Sequence, residues 1–137
     1  MSEQLTFSRS YRYDTRLVGI SIPVKIQWGA LSAEVEASVD TGSSHCVFRR
    51  TDALLLGIDL ESGLSQMVHT VAGSFLTYAH EVVLVVLGVE TTTTVYFAAD
   101  ETFSRNVLGR QGWLDRVRLG LVDYDGQLYL SAYDDPV

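Results

Sequence analysis

The chain has 137 residues, 47% of them hydrophobic, and its 17 acidic and 10 basic residues give a formal net charge of −7. This length suits one domain with a real core and is too short for two. An acidic chain without a lysine or arginine cluster is a poor partner for nucleic acid, and no apolar run approaches the length of a membrane span. A single cysteine cannot form an internal disulfide, and the amino terminus lacks the pattern of a secretory signal. We therefore expect a soluble, cytoplasmic protein.

The amino-terminal half begins with a polar segment, residues 1–16, which predicts an arm or tail. Apolar residues then alternate from Leu17 to Trp28 and predict a strand, with Pro23 on the opposite face, as at a sheet edge or bulge. A second alternating run, Leu31 to Val39, predicts a strand that ends directly before Asp40.

A short helix is predicted from an N-cap at Thr51 through Leu56, and Gly57 is expected to end it. The next feature is a hairpin, in which Leu64–Thr70 and Ser74–Ala79 form two strands around the turn Val71-Ala72-Gly73.

The carboxy-terminal half consists of further short strands and one more helical piece. The predicted elements are strands Val82–Leu87, Val89–Phe97, Val117–Tyr124 and Gln127–Tyr133, and a helical piece around Gly112–Arg116. Many short strands with two short helices predict an all-β domain, a closed barrel or sandwich, over residues 17–133 with a carboxy-terminal tail at 134–137.

The stretch around Asp40 carries the clearest chemical signal. Asp40-Thr41-Gly42-Ser43 follows a strand and precedes the apolar trio Cys46-Val47-Phe48, so a carboxylate lies where the chain turns back into the interior. A charge there needs hydrogen-bond donors, and the backbone N–H groups of Gly42 and Ser43 and the hydroxyls of Thr41 and Ser43 are within local reach. The same residues are also common in ordinary turns, so the motif alone leaves both interpretations open.

A strand, Asp-Thr-Gly-Ser, a short apolar strand and a helix together resemble the active-site segment of the aspartic proteases, in particular the single-lobe, retropepsin-like group that includes the retroviral proteases. In that group a second copy of the pattern has two apolar residues and a glycine, and Val107-Leu108-Gly109-Arg110 is similar to it. The hairpin with Val71, Ala72, Gly73 and Ser74 at its tip falls where the group has its flap. All three features occur in the expected order within residues 17–133.

This resemblance implies hydrolysis of peptide bonds by two carboxylates, with Asp40 as the catalytic residue. No other aspartate of the chain is followed by Thr-Gly or Ser-Gly, so the second carboxylate is expected from an identical subunit in a C2 homodimer. Thr41 is then a clamp between subunits, Gly42 lets backbone approach the carboxylate, and the Ser43 hydroxyl is expected to donate to it. The substrate is a protein or peptide, and no metal or cofactor is expected.

Two features depart from the retroviral pattern. Ser44 stands where many members have an acid that engages the arginine of the second motif, which leaves Arg110 without that partner. The hairpin tip contains only Gly73, so it is expected to be longer or stiffer than a glycine-rich flap. A dimeric scaffold or binding module of the same fold, without proteolytic activity, is therefore the alternative function. Beside the motif, His45 is expected to be exposed and Cys46 to be a buried structural thiol.

Overall fold

A computed structural model describes residues 1–136 of the chain, and within them it has ten strands, one α-helix and three turns of 3-10 helix. The strands are β1 (Arg9–Arg12), β2 (Ile20–Trp28), β3 (Leu31–Val39), β4 (Val47–Phe48), β5 (Leu64–Thr70), β6 (Gly73–Val86), β7 (Val89–Ala98), β8 (Val107–Leu108), β9 (Val117–Val122) and β10 (Gln127–Ala132). The helix is α1 (Arg50–Leu55), and the 3-10 turns are Leu60–Ser62, Leu114–Arg116 and Asp123–Asp125. No helix of this part of the chain is long and apolar enough to cross a membrane.

Most of the chain forms one seven-stranded sheet in the order β2-β3-β8-β4-β7-β6-β5. The sheet closes on itself because β2 pairs with β3 along its whole length and also with β6 through Lys25–Gln27. β5 stays outside this ring and pairs only with the first half of β6. The predicted all-β closed barrel is confirmed.

The inward faces of these strands form the core. On β2 the alternation buries Ile22, Val24 and Ile26, which are at most 1% exposed. Pro23 lies on the outward face, and β6 begins to pair with β2 only at Lys25. Pro23 therefore lies in the part of β2 that does not pair with β6. A proline is tolerated there because it has no backbone N–H to donate to a neighbouring strand.

A second, three-stranded sheet has the order β1-β10-β9 and contains the first and the last strand of the described chain. Within the segment predicted to be an amino-terminal arm, β1 pairs with β10, so the arm is attached to its own domain from residue 9 onward. The guanidinium of Arg118 donates to the carbonyls of Thr6, Tyr133 and Asp135. Residue 137, the end of the predicted carboxy-terminal tail, lies outside the described residues.

Both predicted helices differ from the structure in detail. α1 begins at Arg50, and its N-cap is Arg49, which makes no side-chain capping bond, so the N-cap predicted at Thr51 is wrong. Asp52 is fully buried and accepts a bond of 2.8 Å from the Arg49 guanidinium. The helix does end before Gly57, whose φ of +71° favours glycine. The second predicted helix is a single 3-10 turn, Leu114–Arg116.

Candidate active site

Asp40 follows the last residue of β3, and the sheet brings the second predicted motif directly beside it. β3 and β8 run parallel, with Ser38 opposite Val107 and Val39 opposite Leu108. The Asp40 N–H donates to the Leu108 carbonyl at 3.0 Å. The two motifs, separated by more than sixty residues in sequence, are therefore adjacent in space.

The Asp40 carboxylate is half-buried and is held by the turn that follows it. The Gly42 N–H donates to Oδ1 at 2.9 Å, and the Ser43 N–H donates to the Asp40 carbonyl at 3.1 Å. The Ser43 hydroxyl donates to the His45 carbonyl at 2.8 Å, so the prediction that it donates to the carboxylate is wrong. The other carboxylate oxygen, Oδ2, has no hydrogen-bond partner within residues 1–136.

Thr41 and Gly42 form the exposed tip of this turn. A Cβ atom at Gly42 would lie 3.3 Å from Oδ1 of Asp40, closer than most real Cβ contacts, so the glycine allows its N–H to approach the carboxylate. The role of Thr41 as a clamp between subunits stays a prediction.

The second motif supports the turn from below. A Cβ atom at Gly109 would collide with the carbonyl oxygen of His45 and lie 2.6 Å from its carbon, so only glycine fits there. The N–H groups of Arg110 and Gln111 donate to the carbonyls of Ser43 and Ser44, at 2.8 and 3.0 Å. The stretch Val107-Leu108-Gly109-Arg110 therefore fixes the backbone of the Asp40 turn.

The Arg110 side chain is exposed, and Asp40 is not among the residues that share its pocket. Together with Ser44, Gln111, Leu114 and Asp115 it lines a second pocket of about 370 Å³. Arg110 thus shares its surroundings with a carboxylate of its own chain, Asp115.

Asn106 is a structural residue of the site that sequence reasoning missed, because it belongs to no recognised motif. It is 5% exposed. Its Oδ1 accepts the Arg49 N–H at 2.9 Å, and its Nδ2 donates to the Glu36 carbonyl at 3.1 Å. Its own carbonyl accepts the Ser38 N–H at 2.8 Å. Asn106 therefore joins β3, the start of β8 and the entry to α1. Its sequence signal was weak, a single polar residue before the apolar pair Val107-Leu108.

A cleft of about 600 Å³ lies above Asp40. Its floor is the turn from Asp40 to His45, its roof is the β5–β6 hairpin, and its side wall comes from β4 and the segment before β8. The lining residues are Asp40, Gly42, Ser43, Ser44, His45, Val47, Gln66, Met67, Val68, His69, Thr70, Val71, Phe75, Phe103, Arg105 and Val107.

The β5–β6 hairpin projects beyond the barrel, because β6 pairs with β7 only from Thr77 onward. Its turn is Val71–Ala72, between the paired residues Thr70 and Gly73. The predicted hairpin is confirmed, and it lines the same cleft as Asp40. Its tip residues Val71, Ala72, Gly73 and Ser74 are all exposed, and their role as a flap stays a prediction.

Side-chain contacts brace this hairpin. The Thr70 hydroxyl donates to the Gly73 carbonyl at 2.9 Å and accepts the Ala72 N–H at 3.2 Å. The His69 ring is hydrogen-bonded to the Ser74 hydroxyl at 2.6 Å. Nearer the barrel, the ring of Phe75 stacks on Phe103 with centroids 4.8 Å apart.

The arrangement of an aspartate turn, a supporting apolar-glycine motif and a roofing hairpin agrees with a comparison against protein families. The model of a family described as aspartyl protease matches residues 22–111, which is more than half of the chain. The chain belongs to this aspartyl protease family. The match includes Asp40, the hairpin and the second motif, and it confirms the predicted resemblance. The family consists of hydrolases that act on peptide bonds. No curated protein matches the chain.

Two residues next to the aspartyl protease motif have clear surroundings. His45 is half-buried rather than exposed; its ring lies 4.8 Å from Tyr96, and its Nδ1 has no partner in the described part of the chain. Cys46 is fully buried behind Gly109, and this burial raises the pKa of its thiol to about 11, so the predicted structural thiol is confirmed. Within residues 1–136 no group of three or more His, Cys, Asp or Glu side chains is placed to hold a metal ion.

Proposed function

We propose that this protein is an aspartic endopeptidase that works as a C2 homodimer, with one Asp40 from each subunit forming the catalytic pair. The observation that carries the proposal is that Asp40 is the one carboxylate among the described residues that line the cleft. Peptide hydrolysis by this chemistry needs two carboxylates about a hydrogen bond apart. An identical subunit is the simplest source of the second.

The surroundings of Asp40 suit such a dimer. Its Oδ2 has no partner within residues 1–136, and Thr41 and Gly42 beside it are exposed. In a C2 interface the same surface of each subunit meets its copy across the axis. An exposed turn next to a free carboxylate oxygen lets two Asp40 side chains meet there.

In the proposed reaction one Asp40 is ionised and takes a proton from a water molecule, while the other is protonated and donates to the scissile carbonyl or the leaving amine. Two carboxylates at this distance titrate as a pair, with apparent pKa values about three units apart in pepsin, the standard case of such a pair. Because the reaction needs one ionised and one protonated member of the pair, activity is expected in acid. The hairpin excludes water and offers its backbone to the peptide.

The test is cleavage of a diverse peptide library across pH, at high protein concentration, by the wild type and by Asp40→Asn. We expect cleavage that peaks in acid, rises faster than linearly with protein concentration and disappears in Asp40→Asn. Asp134→Asn is the matched control, because it removes an exposed carboxylate of the tail and should leave cleavage unchanged. Cleavage that survives in Asp40→Asn would show that another residue is catalytic.

A dimeric scaffold or binding module without proteolytic activity is the second candidate. The observation that favours it is the bracing of the hairpin tip by the bonds of Thr70 and His69, which stiffen the tip and oppose a local rearrangement around a peptide. A folded wild-type dimer, verified by sedimentation, that cleaves no peptide at any pH would support this candidate over the first.

A further inference from the structure

We propose that Arg105 selects peptides with an acidic side chain. This inference rests on the proposed function in one respect, that the cleft above Asp40 is where a peptide binds. Arg105 lies on the wall of that cleft, in the segment between Phe103 and β8. It is the one arginine or lysine among the described residues lining the cleft.

The Arg105 guanidinium is uncommitted. The side chain is exposed, and it makes no hydrogen bond or ion pair with another residue of the described range 1–136. Other arginines near the site are engaged: Arg49 is paired with Asp52 and Arg50 with Glu61, each at 2.8 Å.

No acid of the neighbouring elements pairs with Arg105 within the described residues: Asp100 and Glu36 are bonded elsewhere, and Glu101 forms no ion pair with it. Asp100, in the same loop as Arg105, accepts the N–H and the hydroxyl of Thr102, both at 2.8 Å. Glu36, on the adjacent strand β3, accepts the Ser21 hydroxyl at 3.1 Å. The chain therefore leaves the positive charge of Arg105 available to a ligand.

The contrast with Arg110 locates this charge in the substrate cleft. Arg110 lines its pocket together with Asp115, so a carboxylate of the chain itself already lies there. Among the described residues that line the cleft of Arg105, the one carboxylate is that of Asp40, for which we propose the catalytic role. A carboxylate arriving on a peptide is the complementary group that this cleft lacks.

The wall next to Arg105 also fits the stem of an acidic side chain. Val47, Val107 and the stacked rings of Phe75 and Phe103 line the same cleft. The methylene groups of a glutamate pack on such a surface, while its two oxygens match the planar fork of a guanidinium. A glutamate is thus preferred over a glutamine of the same shape.

The experiment measures binding separately from cleavage. Short fluorescent peptides are prepared in pairs that differ only by Glu or Gln at one position, and their affinity for Asp40→Asn protein is measured by anisotropy. At the position that faces Arg105, we expect the Glu peptide to bind about 3- to 10-fold more tightly, and this preference to weaken at high salt. Arg105→Gln should abolish the preference, and Arg105→Glu should favour a Lys peptide instead.

Lys25→Gln is the matched control, since it removes a positive charge from β2, outside the cleft, and should keep the preference. Equal binding of Glu and Gln peptides at every position, or no peptide binding, would overturn the inference. The failure of the proposed function has a different signature: selective binding of Glu peptides without cleavage by wild-type protein keeps the role of Arg105 and removes the protease activity. Cleavage by wild-type protein without a preference for Glu peptides would keep the protease activity and remove the role of Arg105.

Discussion

The backbone N–H of Asp40 donates to the carbonyl of Leu108 at 3.0 Å, and through this bond the two halves of the chain share one site. The first half supplies the carboxylate and its turn. The second half supplies Gly109, whose lack of a side chain lets the His45 carbonyl lie against it. The position of the proposed catalytic group therefore depends on a residue that does not line the cleft.

Replacing Gly109 by alanine should destabilise the protein strongly. The added Cβ would collide with the His45 carbonyl, and this backbone can move only by displacing the Asp40 turn. We expect a loss of about 3 kcal/mol in the free energy of unfolding, measured by urea denaturation. Gly29→Ala is the control, because a Cβ there meets open space and the cost comes from a φ of +58° alone, about 1 kcal/mol. Equal losses in both variants would contradict the collision at Gly109.

Asn106→Ala should also destabilise the protein, although the Asn106 side chain is uncharged and forms no ion pair. Truncation of the buried Asn106 side chain leaves the Arg49 N–H and the Glu36 carbonyl without their partner in two partly buried hydrogen bonds. The expected loss is about 2 to 3 kcal/mol in urea denaturation. Asn106→Asp keeps the acceptor for Arg49 and loses the donor to Glu36, so it separates the two bonds. A change within about 0.5 kcal/mol in Asn106→Ala would show that neither bond contributes to stability.

The stacked pair Phe75 and Phe103 should control how firmly the hairpin rests over the cleft. Phe103→Ala removes the ring on which Phe75 packs, a contact worth about 0.5 to 1.5 kcal/mol beyond its buried area. We expect faster amide hydrogen exchange in residues 64–76 and unchanged exchange in the barrel strands. Leu121→Ala, at an exposed site on β9, is the control and should leave the hairpin protected. Unchanged exchange in the hairpin of Phe103→Ala would mean that other contacts hold it.

Much of the fold could be predicted because its strands alternate. The alternation in β2 and β3 located the strand that ends at Asp40, and the glycine at position 73 located the hairpin. The hydrogen bonds of individual side chains leave no such pattern in the sequence. The Ser43 hydroxyl donates to the His45 carbonyl because the turn curls back on itself, and that geometry depends on Gly109, sixty-six residues later.

The helix start shows the same limit. Thr51 has the composition of an N-cap, but the Arg49 backbone N–H is already bound to the Asn106 side chain, and the Arg49 guanidinium is paired with buried Asp52. The long-range bond to Asn106 and the local i,i+3 pair with Asp52 start the helix earlier than the propensity of Thr51 indicates. The pairing of β1 with β10 was likewise hidden, because four polar and aromatic residues have no clear period.

Tyr13 should make the stability of the protein fall in strong alkali. Its hydroxyl is hydrogen-bonded to Asp123 at 2.5 Å, and this bond, with burial and the negative charge of Asp123, raises the pKa of Tyr13 to about 12. In the unfolded chain the pKa of tyrosine is about 10. The protonated hydroxyl is thus favoured by the folded state, so its contribution is complete below pH 10 and is lost as the pH rises from about 10 to 12.

The measurement is urea denaturation at several alkaline pH values for the wild type and Tyr13→Phe. The difference in the free energy of unfolding between them should be constant up to about pH 10 and shrink above it, because phenylalanine has no proton to lose. Tyr124→Phe is the control, since Tyr124 is 98% exposed and its removal should leave the alkaline decline unchanged. A difference between wild type and Tyr13→Phe that stays constant to pH 12 would show that Tyr13 does not hold its proton through the bond to Asp123.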